Sequence, residues 1–207
     1  NPQDVLVFGR FFNNAAFDTN RIVAVTGSEQ NLSKYFRTRQ GACIQPVLTG
    51  NTTSDNVRYI SGNVLTGTQI PANGYLGFFD SQITVIPEGN HHEFIGWALP
   101  GFNKYSFSKT FFSWLRPGKQ YVLDTNYHGG ERALVVTGEY EKVVPMDILP
   151  MQLLKAIIIE DIDLMEKLGI YEVIEEDLAL CEFICTSKTE IQSIVRKGLN
   201  QLYKEMN

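Results

Sequence analysis

Cysteine and histidine are scarce in this sequence, with three of each among 207 residues. Three thiols, Cys43, Cys181 and Cys185, make no disulfide framework, and so low a count fits a reducing compartment. Three imidazoles give little material for a histidine-based active site or a zinc centre. Positive charge is also short: 18 Lys and Arg against 23 Asp and Glu leave a net charge of −5 and a pI near 5.2. Neutralising phosphates needs clustered cations, so nucleic acid is excluded as a partner. No apolar run approaches the ~20 residues that span a bilayer. The run at Ala156, Ile157, Ile158 and Ile159 is core-sized. No signal peptide is visible, nor is any internal repeat or low-complexity tract. The sequence opens on Asn1, Pro2, Gln3 and Asp4 without an initiator Met and is read as a piece of a longer protein.

What is present is ordinary globular material, 43% hydrophobic and 20% charged. A chain of this length buries roughly 70% of its unfolded surface. Residues 4–17 carry Val5, Leu6, Phe8, Phe11 and Phe12 near helical spacing. Residues 21–27 (RIVAVTG) form a β-branched run ended by glycine, which reads as a buried strand. Further strands are expected at 33–38, 57–62, 75–79, 82–86, 93–99, 119–123 and 132–136. A turn is expected at 87–90 and a helix at 108–115. Cys43 to Leu48 reads as a short extended or turn segment broken by Pro46. The character changes at Pro145, after which the pattern is helical. Pro150 suits a first turn, Asp161 an N-cap, Gly169 a C′ position, and Ser187 with Glu190 a capping box. Ile191, Ile194, Val195, Leu199 and Leu202 then make an apolar stripe. The fold class is therefore α+β. Residues 1–20 read as a linking helix from a preceding domain, 21–144 as a β-rich domain and 145–207 as a helical domain.

No Ser–His–Asp, Cys–His or paired-carboxylate arrangement stands out. Adjacent His91 and His92 would point to opposite faces of a strand, so a surface turn at His91, His92 and Glu93 is the simpler reading. Gly62, Thr66 and Gly67 frame a loop whose backbone N–H groups could cradle a phosphate. The loop lacks the Lys-Ser/Thr of a P-loop and the spacing of a dinucleotide fingerprint, and also reads as a plain turn. Phe107, Phe111, Phe112 and Trp114 form an aromatic run that could take a flat ring such as a quinone. The same run also reads as core or as a face for a partner subunit. Glu175, Glu176 and Asp177 read as a helix N-terminus. Cys181 and Cys185 would share one helix face, most simply as buried small apolar residues.

Residues 145–188 also resemble a two-cluster ferredoxin module from which ligands have been lost. Such modules pack thiolates as C-x-x-C-x-x-C. Here Cys181 and Cys185 fall at the third and fourth places of one run, and Glu175 and Leu178 at the first two. Val144, Tyr140 and Thr137 stand where the other run would end. Two thiolates cannot hold a cluster, so Cys181 and Cys185 are read as remnant ligand positions and no metal is expected.

The motifs NPQDVLVFG (1–9), VRYISGNVLTG (57–67), GWALPG (96–101), VPMDILP (144–150) and EEDLALCEFIC (175–185) occur in order. Together they resemble the C-terminal half of the A-subunit (the alpha subunit) of the bacterial Na+-translocating NADH:quinone oxidoreductases, over nearly the whole chain. Thr186 departs from the family, which usually continues Cys-Pro. That family is similar in turn to the C-subunit of the Rnf complex and to the flavoprotein subunit of respiratory complex I. The resemblance implies a β-grasp, soluble-ligand-binding unit followed by an all-helical, ferredoxin-like domain without clusters. It implies a peripheral subunit on the cytoplasmic face of the bacterial inner membrane. The parent complex uses NADH, flavins, iron–sulfur centres and quinone to export sodium, while this chain itself holds no cofactor. Its partners would be the other subunits, with quinone as a further ligand.

Two roles follow from the resemblance: docking and assembly, or a direct contribution to a quinone or other small-ligand pocket through the β-grasp domain. For the second, the ligand-binding residues are Gly62, Thr66, Gly67, Phe111 and Trp114. Neither role assigns a catalytic residue to this chain.

Overall fold

The computed structural model describes residues 1–90, 94–96 and 99–206. It divides the chain into two units, one of Asn1–His92 with Val122–Asn126 and one of Glu93–Tyr121 with Tyr127–Asn207. Helices and a mixed sheet are both present, which makes the protein α+β.

The first unit is built on five strands, β1 (Asn20–Thr26), β2 (Tyr35–Arg39), β3 (Val57–Ser61), β4 (Thr68–Ile70) and β5 (Gln82–Pro87). They lie in the order β2-β1-β5-β3-β4. β1 and β5 run parallel, with Val25 opposite Ile83, and every other pair is antiparallel. Alternation along β1 turns Arg21, Val23 and Val25 inward. Val23, Val25, Ile83 and Val85 form a core with Leu76 and with Ile44 and Leu48 at the one-turn helix α2 (Gln45–Leu48). β1 ends where Gly27 takes a φ of 110°; a Cβ there would fall 1.9 Å from the Val85 carbonyl oxygen, so only glycine fits. The expected strand at 75–79 is absent. Gly74 and Leu76 instead exchange backbone hydrogen bonds with Ile44 and Ala42, and Gly77 begins a turn.

An N-terminal helix, α1 (Pro2–Asn14), precedes the sheet, capped by the Asn1 side chain. It is fixed to β1 by Gln3 and Asp4, and none of its residues is buried. Segment Val122–Asn126 is held by Thr125, whose hydroxyl donates to Glu88 Oε1 at 2.7 Å and accepts the Gly89 N–H at 2.8 Å.

In the second unit all regular structure among the described residues is helical. 3-10 turns lie at Phe112–Leu115, Tyr140–Lys142, Ile170–Glu172 and Glu175–Leu178. The helices are α3 (Pro150–Ile158), α4 (Ile162–Lys167), α5 (Ala179–Ile184) and α6 (Ile191–Glu205). Asp161 caps α4 by accepting the Leu164 N–H at 3.0 Å, and Gly169 beyond it is left-handed. The α6 stripe packs as expected: Ile191, Val195 and Leu202 are buried against Leu153, Leu154 and Ile157 of α3. Gly198 lets the two helices approach, since a Cβ there would stand 2.9 Å from Ile157 Cγ1.

Further sequence expectations give way here. Only Phe112–Leu115 of the expected helix at 108–115 is helical, because Lys109 is left-handed and a hydroxyl relay through Ser106, Ser108 and Thr110 makes a turn. The expected strands at 119–123 and 132–136 find no ladder partner among the described residues. Ser187 does not cap α6. It is buried and donates to the Ala133 carbonyl at 2.9 Å, and Glu190 takes the cap position. The expected strand at 93–99 lies partly outside the described residues, and 94–96 form a turn. The reading of His91, His92 and Glu93 lies outside them altogether.

Candidate functional site

The Gly62 loop is closed by its own side chains. Asn63 Oδ1 accepts the N–H groups of Leu65 at 2.7 Å and Thr66 at 2.9 Å, while Asn63 Nδ2 donates to Thr66 Oγ1 at 2.9 Å. The Gly67 N–H donates to the Asn63 carbonyl and the Gly62 N–H to that of Gln82, each at 2.9 Å. The N–H groups of Gly62, Leu65, Thr66 and Gly67 are thus engaged within the protein. Below the loop, Thr84 Oγ1 donates to the Gly62 carbonyl at 2.7 Å. The structure brings Gly62, Thr66 and Gly67 together in this one turn of the first unit.

Phe111 and Trp114 belong to the second unit. Phe111 is half-buried, with its ring against Gly101, and Lys104 Nζ stands 5.4 Å from the ring centre. Phe112 tilts against Phe102 at 6.1 Å. Trp114 turns outward and is 52% exposed. Elsewhere in the unit Tyr105 lies tilted against Phe183 of α5, with ring centres 5.4 Å apart, and meets Tyr121 edge-on.

Cys181 and Cys185 are both buried in the helical core. The Tyr140 hydroxyl donates to Cys185 Sγ at 2.9 Å, and the Thr189 N–H donates to the same sulfur at 3.4 Å. Burial pushes the Cys181 thiol up to about 12. Burial, with the Cys185 contact adding to it, raises the Tyr140 hydroxyl well above the usual tyrosine range. A buried thiol that resists ionisation, as Cys181 does, is a poor nucleophile at neutral pH. Among the described residues no group of three or more His, Cys, Asp or Glu side chains is placed to hold a metal ion. No helix among them is long and apolar enough to cross a membrane.

Residues 22–72 match the family model of the NQRA C-terminal domain. Over 205 residues the chain is 43% identical to the A-subunit of the Na(+)-translocating NADH-quinone reductase of Rhodopirellula baltica, covering 98% of this chain and 45% of that protein. It is 43% identical to the corresponding protein of Hahella chejuensis and 42% identical to that of Yersinia pestis, each over 204 residues, 98% of this chain and 46% of the relative. The chain is related to the A-subunits of these reductases. It spans just under half the length of the curated relatives it matches.

Sequence reasoning passed over two features of the first unit. One is the pairing of Gln3 with β1, which no pattern of hydrophobicity signals. The other is the pair Phe78 and Phe79, exposed beside the Gly62 loop. Its signal was the flanking Gly77 and Asp80, both common turn residues.

Proposed function

We propose that this chain is part of the A-subunit of a Na+-translocating NADH:quinone reductase and serves there as a docking and assembly module. The observation that carries this reading is α1. Val5, Phe8 and Phe12 lie along one side of it at 70%, 64% and 82% exposure. Burying such side chains stabilises by about 1.5–3 kcal/mol each, so a helix that leaves three of them in water has a binding face to offer. The occupant is another subunit of the complex, on the cytoplasmic face of the inner membrane. The chain carries no cofactor of its own, while the assembled complex supplies NADH, flavin, iron–sulfur and quinone chemistry.

The β-grasp reading of the first unit is supported by its strand order, with a parallel central pair β1/β5 and a helix between β2 and β3. The reading of the second unit as a ferredoxin-like scaffold without clusters is supported by Cys181 and Cys185, which serve its core as apolar residues. Quinone binding is a second reading, favoured by the exposed indole of Trp114.

The test is Phe8→Asp with Phe12→Asp in the full-length subunit, followed by purification of the complex. Docking predicts a folded subunit that fails to join the complex. Normal assembly of the double variant would sink the proposal. Trp114→Ala separates the second reading: assembly should survive it and quinone affinity should fall.

A further inference from the structure

In the first unit the Asp80 N–H donates to the Gly77 carbonyl at 3.1 Å, closing a β-turn with Phe78 and Phe79 at its two corners. Such corners ordinarily hold Gly, Pro, Asn, Asp or Ser. Here they hold two phenylalanines, 57% and 73% exposed, whose rings meet edge-to-face at 4.9 Å. The turn is fixed from three sides. The Gly77 N–H donates to Ser61 Oγ at 2.8 Å, the buried Ser61 hydroxyl donates to the Asp80 carboxylate, and Gln40 Nε2 donates to the Phe78 carbonyl at 2.9 Å. A Cβ on Gly77 would stand 2.3 Å from Asp80 Oδ2. The backbone is therefore rigid while both rings project.

Gln40 follows directly on Arg39, the last residue of β2. Along β2, Tyr35, Arg37 and Arg39 are exposed and Phe36 and Thr38 less so. Among the described residues, nothing pairs with the side chains of Lys34, Arg37 or Arg39. Residues 1–40 hold five Lys and Arg against three Asp and Glu, in a chain whose net charge is −5. The cationic end of an acidic protein thus adjoins its aromatic tip.

We propose that this surface rests on an anionic lipid bilayer, with Phe78 and Phe79 entering the boundary between headgroups and acyl chains and Arg37 and Arg39 facing lipid phosphates. A bilayer suits the geometry better than a protein partner does. Two rings on a convex turn bury far less than the roughly 1,200 Å² of a stable protein interface. A lipid interface needs no matching pocket, takes up apolar side chains, and attracts each nearby cation through its surface potential. The inference does not depend on the docking reading, because the whole chain alone is the reagent.

The experiment is flotation of the chain with phosphatidylcholine vesicles, with and without phosphatidylglycerol as the anionic lipid. The chain is expected to float with the anionic vesicles and to be released by salt. Phe78→Ser with Phe79→Ser should abolish flotation, and each of Arg37→Gln and Arg39→Gln should weaken it roughly fivefold. All four side chains are exposed, and circular dichroism checks that the variants fold. Phe79→Trp adds a direct reading, with a blue-shifted emission on vesicle addition. The proposal is overturned if the wild-type chain does not float, or if the double Phe variant floats as well as wild type. It is equally overturned if only Phe8→Ser with Phe12→Ser abolishes flotation, which would move the contact to α1.

Discussion

Gln3 and Ile22 pair reciprocally: Gln3 Nε2 donates to the Ile22 carbonyl and the Ile22 N–H donates to Gln3 Oε1, both at 2.9 Å. The amide side chain thereby takes the part of a neighbouring strand. Two residues further on, the Ala24 N–H donates to the Ser81 carbonyl as β5 arrives. Gln3 covers the stretch of β1 that β5 does not reach, an open edge that would otherwise invite pairing with another chain. Beside it the buried Arg21 guanidinium donates to Asp4 Oδ1 with both Nη atoms, one at 3.0 Å.

Gln3→Ala should therefore free α1 while leaving the sheet intact. Each lost bond is worth about 1 kcal/mol at a solvent-accessible site. Hydrogen exchange should show α1 amides at least tenfold less protected, with β3 and β5 unchanged. Uniform loss across the unit would mean that α1 is integral to the sheet's stability.

Acid should loosen the Val122–Asn126 segment. Hydrogen bonds from Arg58, at 3.0 and 2.5 Å, and from Thr125 hold the Glu88 carboxyl below its ordinary value of about 4.5. A group whose folded value is depressed contributes stability that is present above the unfolded value and lost as pH falls through the folded one. Exchange of the amides at 122–126 should rise below about pH 4.5, and Glu88→Gln should remove most of that pH dependence. A pH profile unaltered in the variant would assign the acid response to other groups.

The thiols should separate by burial. A thiol reagent is expected to titrate Cys43 quickly, since it is part-exposed, and to reach Cys181 and Cys185 only after denaturation. Reconstitution with iron and sulfide should leave the folded chain colourless. Rapid titration of all three thiols would contradict the buried arrangement around Tyr140.

Gly198→Leu should destabilise the helical unit by about 1–3 kcal/mol, the usual cost of overpacking, read as a lower urea midpoint. Ile157, against which the new side chain would press, is fully buried. A smaller loss on combining it with Ile157→Ala would locate the strain at this crossing.

Local pattern carried most of the regular structure. β1 and β5 are short β-branched runs, β3 alternates, and the caps at Pro150, Asp161 and Gly169 bound the helices that they suggest. The stretch around Lys109 was not legible, because clustered aromatics satisfy a helical period whether or not the backbone follows it. Residues 119–123 and 132–136 have strand-forming side chains, but a strand also needs a neighbour, which no local sequence supplies. The chemistry of the Gly62 loop was hidden for a similar reason. Its glycines advertise free N–H groups, and only the fold shows Gln82 accepting that of Gly62 and Asn63 that of Gly67. The fate of Ser187 likewise turned on Ala133, far away in sequence.

The parallel pairing of β1 with β5 has a consequence for biosynthesis. Thr26 leaves the ribosome long before its partner Thr84 exists, so the nascent β1–β2 hairpin must wait with Val23 and Val25 uncovered. Closing so long a loop is slow compared with the local contacts that assemble α3 to α6. Over that interval the growing chain offers a bare strand edge to its surroundings, and a chaperone that binds extended apolar segments would find its best substrate there, well before any helix of the second unit has been made.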